Sequence, residues 1–381
     1  MRNVLVPERT VVAAGILGLI GSIFVFKYAG RHASIMEIGA LLYFVVFISA
    51  IRFLVFVQEK RKLRVTPTTY LIILLSISAA AMVAVIVLPE KSGVSRLPAL
   101  SAWLHRFLNG EFPYQDPSNP SGFPVLFFLA LPFYYLGNLG FIEVLGILVF
   151  GLAIMKLGRP GAQTASTQLI VLLLLPTTYY EIVTRSELFF NMSIILALII
   201  IARDLLDVRK VDIRFIGLAV LFGLALSTRS VVGLVYAMFV AFRFGKENVR
   251  NGFLFSLMVI GVFGLTLVPF MVWDLHAFRA HGPLAIQLAY VSTGTILGAI
   301  VLAVLLGLAA KNVEDVLYYS GIVLFGIVLL AFVTRAAEVG FQVAVFKHGF
   351  DIGYFIFSVP FLVSVLRIEP QIGNPAVSRH L

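Results

Sequence analysis

Long apolar runs constrain this chain more than any other feature. Residues 11–28, 35–57, 70–89, 253–273 and 284–310 are dominated by Leu, Ile, Val, Phe, Ala and Gly. Each reaches or approaches the roughly 20 apolar residues that span a bilayer core. Lipid offers the backbone no hydrogen-bond partner, so such runs fold as helices, whose N–H and C=O groups satisfy one another. Only 13% of the 381 residues are charged, against about 25% in a soluble domain, which is too few to clothe a water-facing surface. The expected fold is therefore all-α: a polytopic transmembrane helical bundle forming one membrane domain over residues 1–381. At ~20 residues per span it holds about 12–13 membrane helices.

The net charge of +10 does not point to nucleic acid, because no basic, aromatic-interleaved domain is present to contact one. The Lys and Arg residues lie in short loops, chiefly QEKRKLR (residues 58–64), RDLLDVRKVDIR (203–214) and RFGKENVR (243–250). The positive-inside rule puts these loops in the cytoplasm. The N-terminus and the tail after Arg367 then lie inside as well, with the greater part of the 29 Lys and Arg. Residues 90–123, 185–187, 227–230, 273–283 and 334–350 face the other side of a cell or plasma membrane. The first apolar run lacks a small-residue cleavage site and reads as a retained helix. With no cysteine in the chain, disulfide and thiolate chemistry are excluded. Between residues 124 and 157, two apolar pieces flank Gly137-Asn-Leu-Gly140. Two full crossings there would invert every later loop, so an odd number is expected, with one piece short, tilted or re-entrant.

On this topology the unusual polar residues gather at the outer ends of helices: Glu90, Arg96, His105, Arg106, Asp116, Arg185, Glu187, Arg229, Asp274, His276, Arg279, Arg335, Lys347 and His348. Charges at membrane depth are costly, and those that persist face protein or a polar cavity; solvation at headgroup level is the competing reading for each. The stretch LPALSAWLHRFLNG (97–110) places Leu97, Leu100, Leu104 and Leu108 on one helical stripe. It reads as an amphipathic helix on the outer membrane face, within the outer loop 90–123, with Trp103 at headgroup depth. The loop that follows, GEFPYQDPSNPSGFP, is stiffened by Pro113, Pro117, Pro120 and Pro124. Such a loop presents Asp116 with little further loss of entropy on binding, or else is a rigid turn that Asp116 caps itself.

These motifs, in this order, resemble the first outer loop of GT-C-type membrane glycosyltransferases: an amphipathic juxtamembrane helix, G-x-x-P-Y-x-D, then F-P opening the helix PVLFFLALPFYYLG. The chain is most similar to the polyprenyl-phosphate-mannose-using branch. The polar break Arg185-Ser-Glu-Leu-Phe-Phe-Asn191, and LALSTRS carrying Arg229, continue the likeness, which covers residues 69–273; residues 1–68 and 274–381 add further membrane helices. The resemblance implies transfer of a sugar, a mannose-like hexose, from a polyprenyl-phosphate donor to a lipid, glycan or protein acceptor on the extracytoplasmic face. Such enzymes carry a catalytic Asp just ahead of the juxtamembrane helix. That place falls near Ser95-Arg96, where this chain has no acid.

The residues themselves suit the chemistry. A carboxylate must take the acceptor's proton, and cations must neutralise the departing phosphate. Asp116 or Glu90 is the candidate base. Arg229, Arg185, Lys347 and His348 are candidates for the lipid phosphate, with Arg suited to bidentate contact. Glu187 orients Arg185, binds a sugar hydroxyl or ligates a divalent metal; no two-acid metal motif is evident, and the metal stays unassigned. Tyr114, His105, Tyr180 and Asp274 are candidate sugar or acceptor contacts, although interfacial tyrosines also serve as anchors. A transporter or flippase for a lipid-linked glycan is the alternative. It would place charges near mid-span, whereas here they cluster towards one face.

Overall fold

The computed structural model describes residues 8–29, 36–61, 65–89, 96–157, 162–288, 291–347 and 349–366. It is an all-α bundle, with no strand among these residues. The chain opens with three long helices, α1 (Glu8–Ala29), α2 (Met36–Arg61) and α3 (Pro67–Val87). The short α4 (Leu97–Leu108) and α5 (Pro124–Tyr135) precede α6 (Phe141–Leu157). A broken pair, α7 (Ala162–Leu174) and α8 (Pro176–Thr184), leads into α9 (Leu188–Leu205), α10 (Ile213–Leu226), α11 (Val232–Phe244) and α12 (Val249–Trp273). Two short surface helices, α13 (Leu275–His281) and α14 (Pro283–Leu288), come before α15 (Thr293–Ala309), α16 (Val313–Val339) and α17 (Phe341–Phe346). A 3-10 helix (Ile352–Ser358) runs into α18 (Val359–Ser364).

Six described helices are long and apolar enough to cross a membrane, seven if the pair α7 and α8 counts as one span, and shorter apolar helices complete the bundle. Polar contacts sort the loops into two groups. At one end, Arg243 donates to the Leu206 carbonyl at 2.7 Å and Asn251 to that of Val208 at 2.8 Å. There too Arg9 pairs with the buried Asp315, joining the start of α1 to the start of α16. At the other end, Arg185 reaches the Val85 carbonyl at 3.1 Å and Arg96 meets Asp351 at 2.6 Å. Two of the three basic loops expected to share one face, 203–214 and 243–250, thus meet each other, as do loops expected on the opposite face; residues 1–7, 62–64 and the tail from Arg367 lie outside the described residues.

The doubtful stretch between residues 124 and 157 resolves in the same terms. Phe123 N and Val125 N donate to the carbonyls of Thr228 and Ser227, at 3.3 and 3.1 Å. Beyond the far end of α5, Asn138 Nδ2 donates to the Val85 carbonyl at 3.2 Å. Both ends of α5 therefore sit at the same end of the bundle. At about 18 Å long it is too short to cross a core of about 30 Å, whereas α6 runs on to the opposite end of the bundle, where Lys156 pairs with Asp204 at 3.3 Å.

The amphipathic helix expected over residues 97–110 is α4, with Leu97, Leu100 and Leu104 buried and Leu108 exposed. Trp103 departs from expectation. It is fully buried and stacked on Phe127, ring centroids 4.1 Å apart, with Tyr114 edge-on at 5.8 Å. α5 lies against α4 and supplies an aromatic partner that lipid headgroups do not, so Trp103 belongs to the protein core.

Candidate functional site

The site is built at the end of the bundle where Arg96 and Asp351 meet, and its floor begins with a broken helix. Pro176 has no N–H to offer the Leu172 carbonyl, and its ring disfavours a continuous helix, so α7 and α8 meet at 68°. The carbonyls left over find side chains instead: Thr178 Oγ1 donates to Leu172 at 2.6 Å and Tyr179 Oη to Leu173 at 2.7 Å. This turns Tyr180 and Glu181 towards the polar end. α8 then stops at Arg185, whose backbone is left-handed at φ 51. Glu187 follows as the residue capping the start of α9. Glu181 Oε2 reaches across and accepts from Phe189 N at 3.0 Å, satisfying one of the free donors of that helix start.

Two ion pairs stand over this floor. Arg229, in the turn between α10 and α11, is 4% exposed. It pairs with Glu187 and donates to Ser121 Oγ at 2.8 Å. Arg96 donates to Asp351 Oδ2 at 2.6 Å and lies over the Tyr354 ring, 4.6 Å from its centroid. Burial works against the Arg96 charge, but Asp351, Tyr354 and Glu187 outweigh it and lift its pKa above the ordinary arginine value. The other Asp351 oxygen accepts from Gly353 N at 2.8 Å. A Cβ on Gly353 would come within 2.9 Å of that oxygen and 3.3 Å of Arg96 Nη1, so glycine is what permits the close approach.

Around these pairs lies a polar cavity of about 540 Å³ lined by Lys27, Tyr28, Arg96, Tyr180, Glu187, Arg229, Asp351 and Tyr354, with residues 118–122 along its edge. A second, apolar cavity of about 860 Å³ follows α11 from Leu226 and Arg229 down to Phe244 and Gly245, walled by α12, α15 and α16. The two cavities share Arg229, Phe350 and Tyr354. A guanidinium thus stands where an apolar groove meets a polar chamber.

The proline-rich loop contributes, though not through the expected residue. Asp116 accepts from Ser118 N and Ser118 Oγ, at 2.9 and 2.5 Å. This is the self-capped turn, and Asp116 does not line the polar cavity. The turn instead delivers Ser121, which Arg229 grips by its hydroxyl and Gln287 by its carbonyl. Gln287 also accepts from Ser230 N at 3.1 Å, strapping the loop between α14 and the Arg229 turn.

Of the remaining residues expected from sequence, Arg229, Glu187 and Tyr180 come together at the cavity. Arg185 is turned away, its guanidinium on the carbonyls at the end of α3. Tyr114 is buried, donates to the Gly122 carbonyl at 3.2 Å and packs edge-on against Phe270 and Phe278; it is a core residue, and burial pushes its hydroxyl well above the usual tyrosine range. His105 is exposed, with Nε2 3.1 Å from Asn109 Nδ2. Asp274 caps α13 through Ala277 N at 2.8 Å, and Lys347 is exposed at the end of α17. Glu90 and His348 lie outside the described residues. Among the described residues, no group of three or more His, Asp or Glu side chains converges as metal ligands.

Sequence reasoning missed Asp351, Lys27, Gln287 and the buried acids Glu143 and Glu181. The two glutamates carried a readable signal, since an ionisable residue inside an apolar run marks a polar interior. Asp351 carried none of its own: its partner Arg96 lies 255 positions away. No protein-family model, curated protein or solved structure matches the chain.

Proposed function

We propose that the protein is a membrane glycosyltransferase that moves a hexose from a polyprenyl-phosphate donor to an acceptor hydroxyl on the extracytoplasmic face. One observation carries the reading: the apolar groove along α11 adjoins the polar chamber, with Arg229, Phe350 and Tyr354 lining both. In this reading the prenyl chain lies in the groove, the phosphate meets Arg229 and the sugar occupies the chamber. The acceptor oxygen attacks the anomeric carbon, and the bond from that carbon to the phosphate oxygen breaks. The electron pair leaves with the phosphate, whose charge Arg229, Arg96 and Lys27 offset. Asp351 takes the acceptor's proton. It is a cavity-lining carboxylate with solvent access, its side chain 38% exposed, and it is held in place by Arg96 and Gly353 N.

The deciding experiment reconstitutes the purified protein with radiolabelled polyprenyl-phosphate mannose or glucose and follows loss of label from the donor. Consumption by the wild type supports the reading; no consumption of any such donor, with acceptor lipids and glycans supplied, removes it. Arg229→Lys keeps the charge beside Glu187 but loses the fork geometry. It should raise the donor concentration for half-maximal rate about tenfold, the equivalent of one charge-assisted hydrogen bond. The reach of the groove along the whole of α11 also suits a protein that carries such a lipid across the bilayer. A transbilayer movement assay in vesicles separates the two, since a flippase relocates the donor intact.

A further inference from the structure

Behind the Arg229–Glu187 pair lies a set of polar atoms that this chemistry leaves unused. Glu143, in the first turn of α6, has no exposed surface, and neither carboxyl oxygen has a hydrogen-bond partner. Glu181 Oε1 and Glu187 Oε2 are equally buried and unpartnered. Asn191 lies one turn beyond Glu187 on α9, is 1% exposed and leaves both amide atoms unpartnered; Thr177 Oγ1 is in the same state. The glutamates lie within electrostatic reach of one another. Donors are present among the unpartnered atoms as well, namely Asn191 Nδ2, Thr177 Oγ1, Ser186 Oγ and Arg229 Nε, but Glu143 is the one carboxyl among these residues with neither oxygen paired.

A buried carboxyl with neither oxygen paired needs a cation or a proton. An ionised carboxylate buried without a partner is several kcal/mol uphill, so the group neutralises instead. The cations nearby are already engaged. Arg229 pairs with Glu187, Arg96 is bound to Asp351 and reaches Glu181 and Glu187 only through space, and Arg185 spends hydrogen bonds on the end of α3. Of the other helices packed on α6, α7 and α18 bring no titratable side chain; α3 brings Tyr70, which bonds to Gly151 further along α6, α5 brings Tyr134 and Tyr135, and α8, besides Glu181, brings Tyr180 and Tyr179, the latter bonded to the Leu173 carbonyl. The acids do not converge on a point that one metal ion could occupy. A proton on Glu143 is what fits.

We propose that Glu143 and Glu181 form a buried proton-binding site that holds at least one proton at neutral pH, as the carboxylic acid of Glu143. The site is coupled to the polar chamber through Glu187, which pairs with Arg229 by one oxygen, keeps the other buried and unpartnered, and lies within electrostatic reach of both acids. Loss of a proton places a new negative charge behind Glu187 and draws Arg229 inward. Alkaline pH then weakens the hold on any anion in the chamber.

The test does not depend on any enzymatic activity. Infrared spectra of the purified protein at neutral pH should contain the C=O stretch of protonated carboxylic acid, diminished in Glu143→Gln. A wild-type spectrum without that band overturns the proposal, as does a band unchanged by that substitution. Glutamine mimics the neutral acid and has no charge to neutralise on folding. Glu143→Gln should therefore raise the thermal midpoint at neutral pH and leave it unaltered at pH about 4, where an unperturbed Glu is itself protonated. A lower midpoint at neutral pH, or one that falls on adding a metal chelator to the wild type, contradicts it.

Discussion

Asp351 and Asp116 make the sharpest contrast at the level of single residues. Both are acids in polar loops, but one lines the cavity against Arg96 and the other closes its own turn on Ser118. Asp351→Asn should lower the rate of sugar transfer by about 10²-fold or more, the span of general-base contributions, while Asp116→Asn stays within a few-fold of wild type. Equal losses in the two variants would show the base to be assigned wrongly. Gly353→Ala gives an independent handle on the same group. Its Cβ would press on Asp351 Oδ1 at 2.9 Å, so turnover should fall with little change in thermal midpoint. The sequence displayed Arg229 and Glu187 openly, because each interrupts an apolar stretch. It hid Asp351, because what holds that acid at the cavity is Arg96, 255 positions away in the chain.

The helices were legible wherever local physics decides them. The stripe of α4, the prolines that open α3, α5 and α8, and the side-chain caps of α10, α12, α13, α15 and α16 can all be read from neighbouring residues. Trp103 was misplaced because its surroundings are made by α5, which no local rule brings onto α4. The break between α7 and α8 depends on Thr178 and Tyr179 replacing the bonds that Pro176 cannot give. Thr178→Val removes one of these and should cost about 1 kcal/mol. That is a fall of about 1–2 °C in the thermal midpoint, alongside reduced transfer as Tyr180 and Glu181 lose their aim. A midpoint and rate equal to wild type would mean the bend holds itself by packing alone.

Across the described residues, the charge pattern put loops 203–214 and 243–250 in one group, and the fold brings those two together, because positive loops sort by side independently of how the helices pack. A chain without cysteine makes the assignment of sides testable with single introduced thiols. Ser118→Cys, at the polar end, should react with an impermeant maleimide in intact cells, and Lys210→Cys, in the opposite set of loops, only after permeabilisation; both positions are exposed. The reverse pattern would put the cavity in the cytoplasm. Helix packing was the part no sequence pattern supplied, since every face of a membrane helix is apolar whether it meets lipid or protein.

The groove along α11 carries a consequence for selectivity. In water, an apolar slot attracts a hydrocarbon chain by releasing solvent. Inside a bilayer the chain leaves surroundings as oily as those it enters, so that attraction vanishes. Neighbouring phospholipid tails compete for the same space at very high local concentration. The slot then works as a ruler: it sets where along the membrane normal the head of a seated lipid must stop. Recognition falls to the few polar contacts at its mouth. Shortening the tail of a lipid ligand should change its binding little in vesicles, the opposite of what a pocket in a soluble protein would teach one to expect.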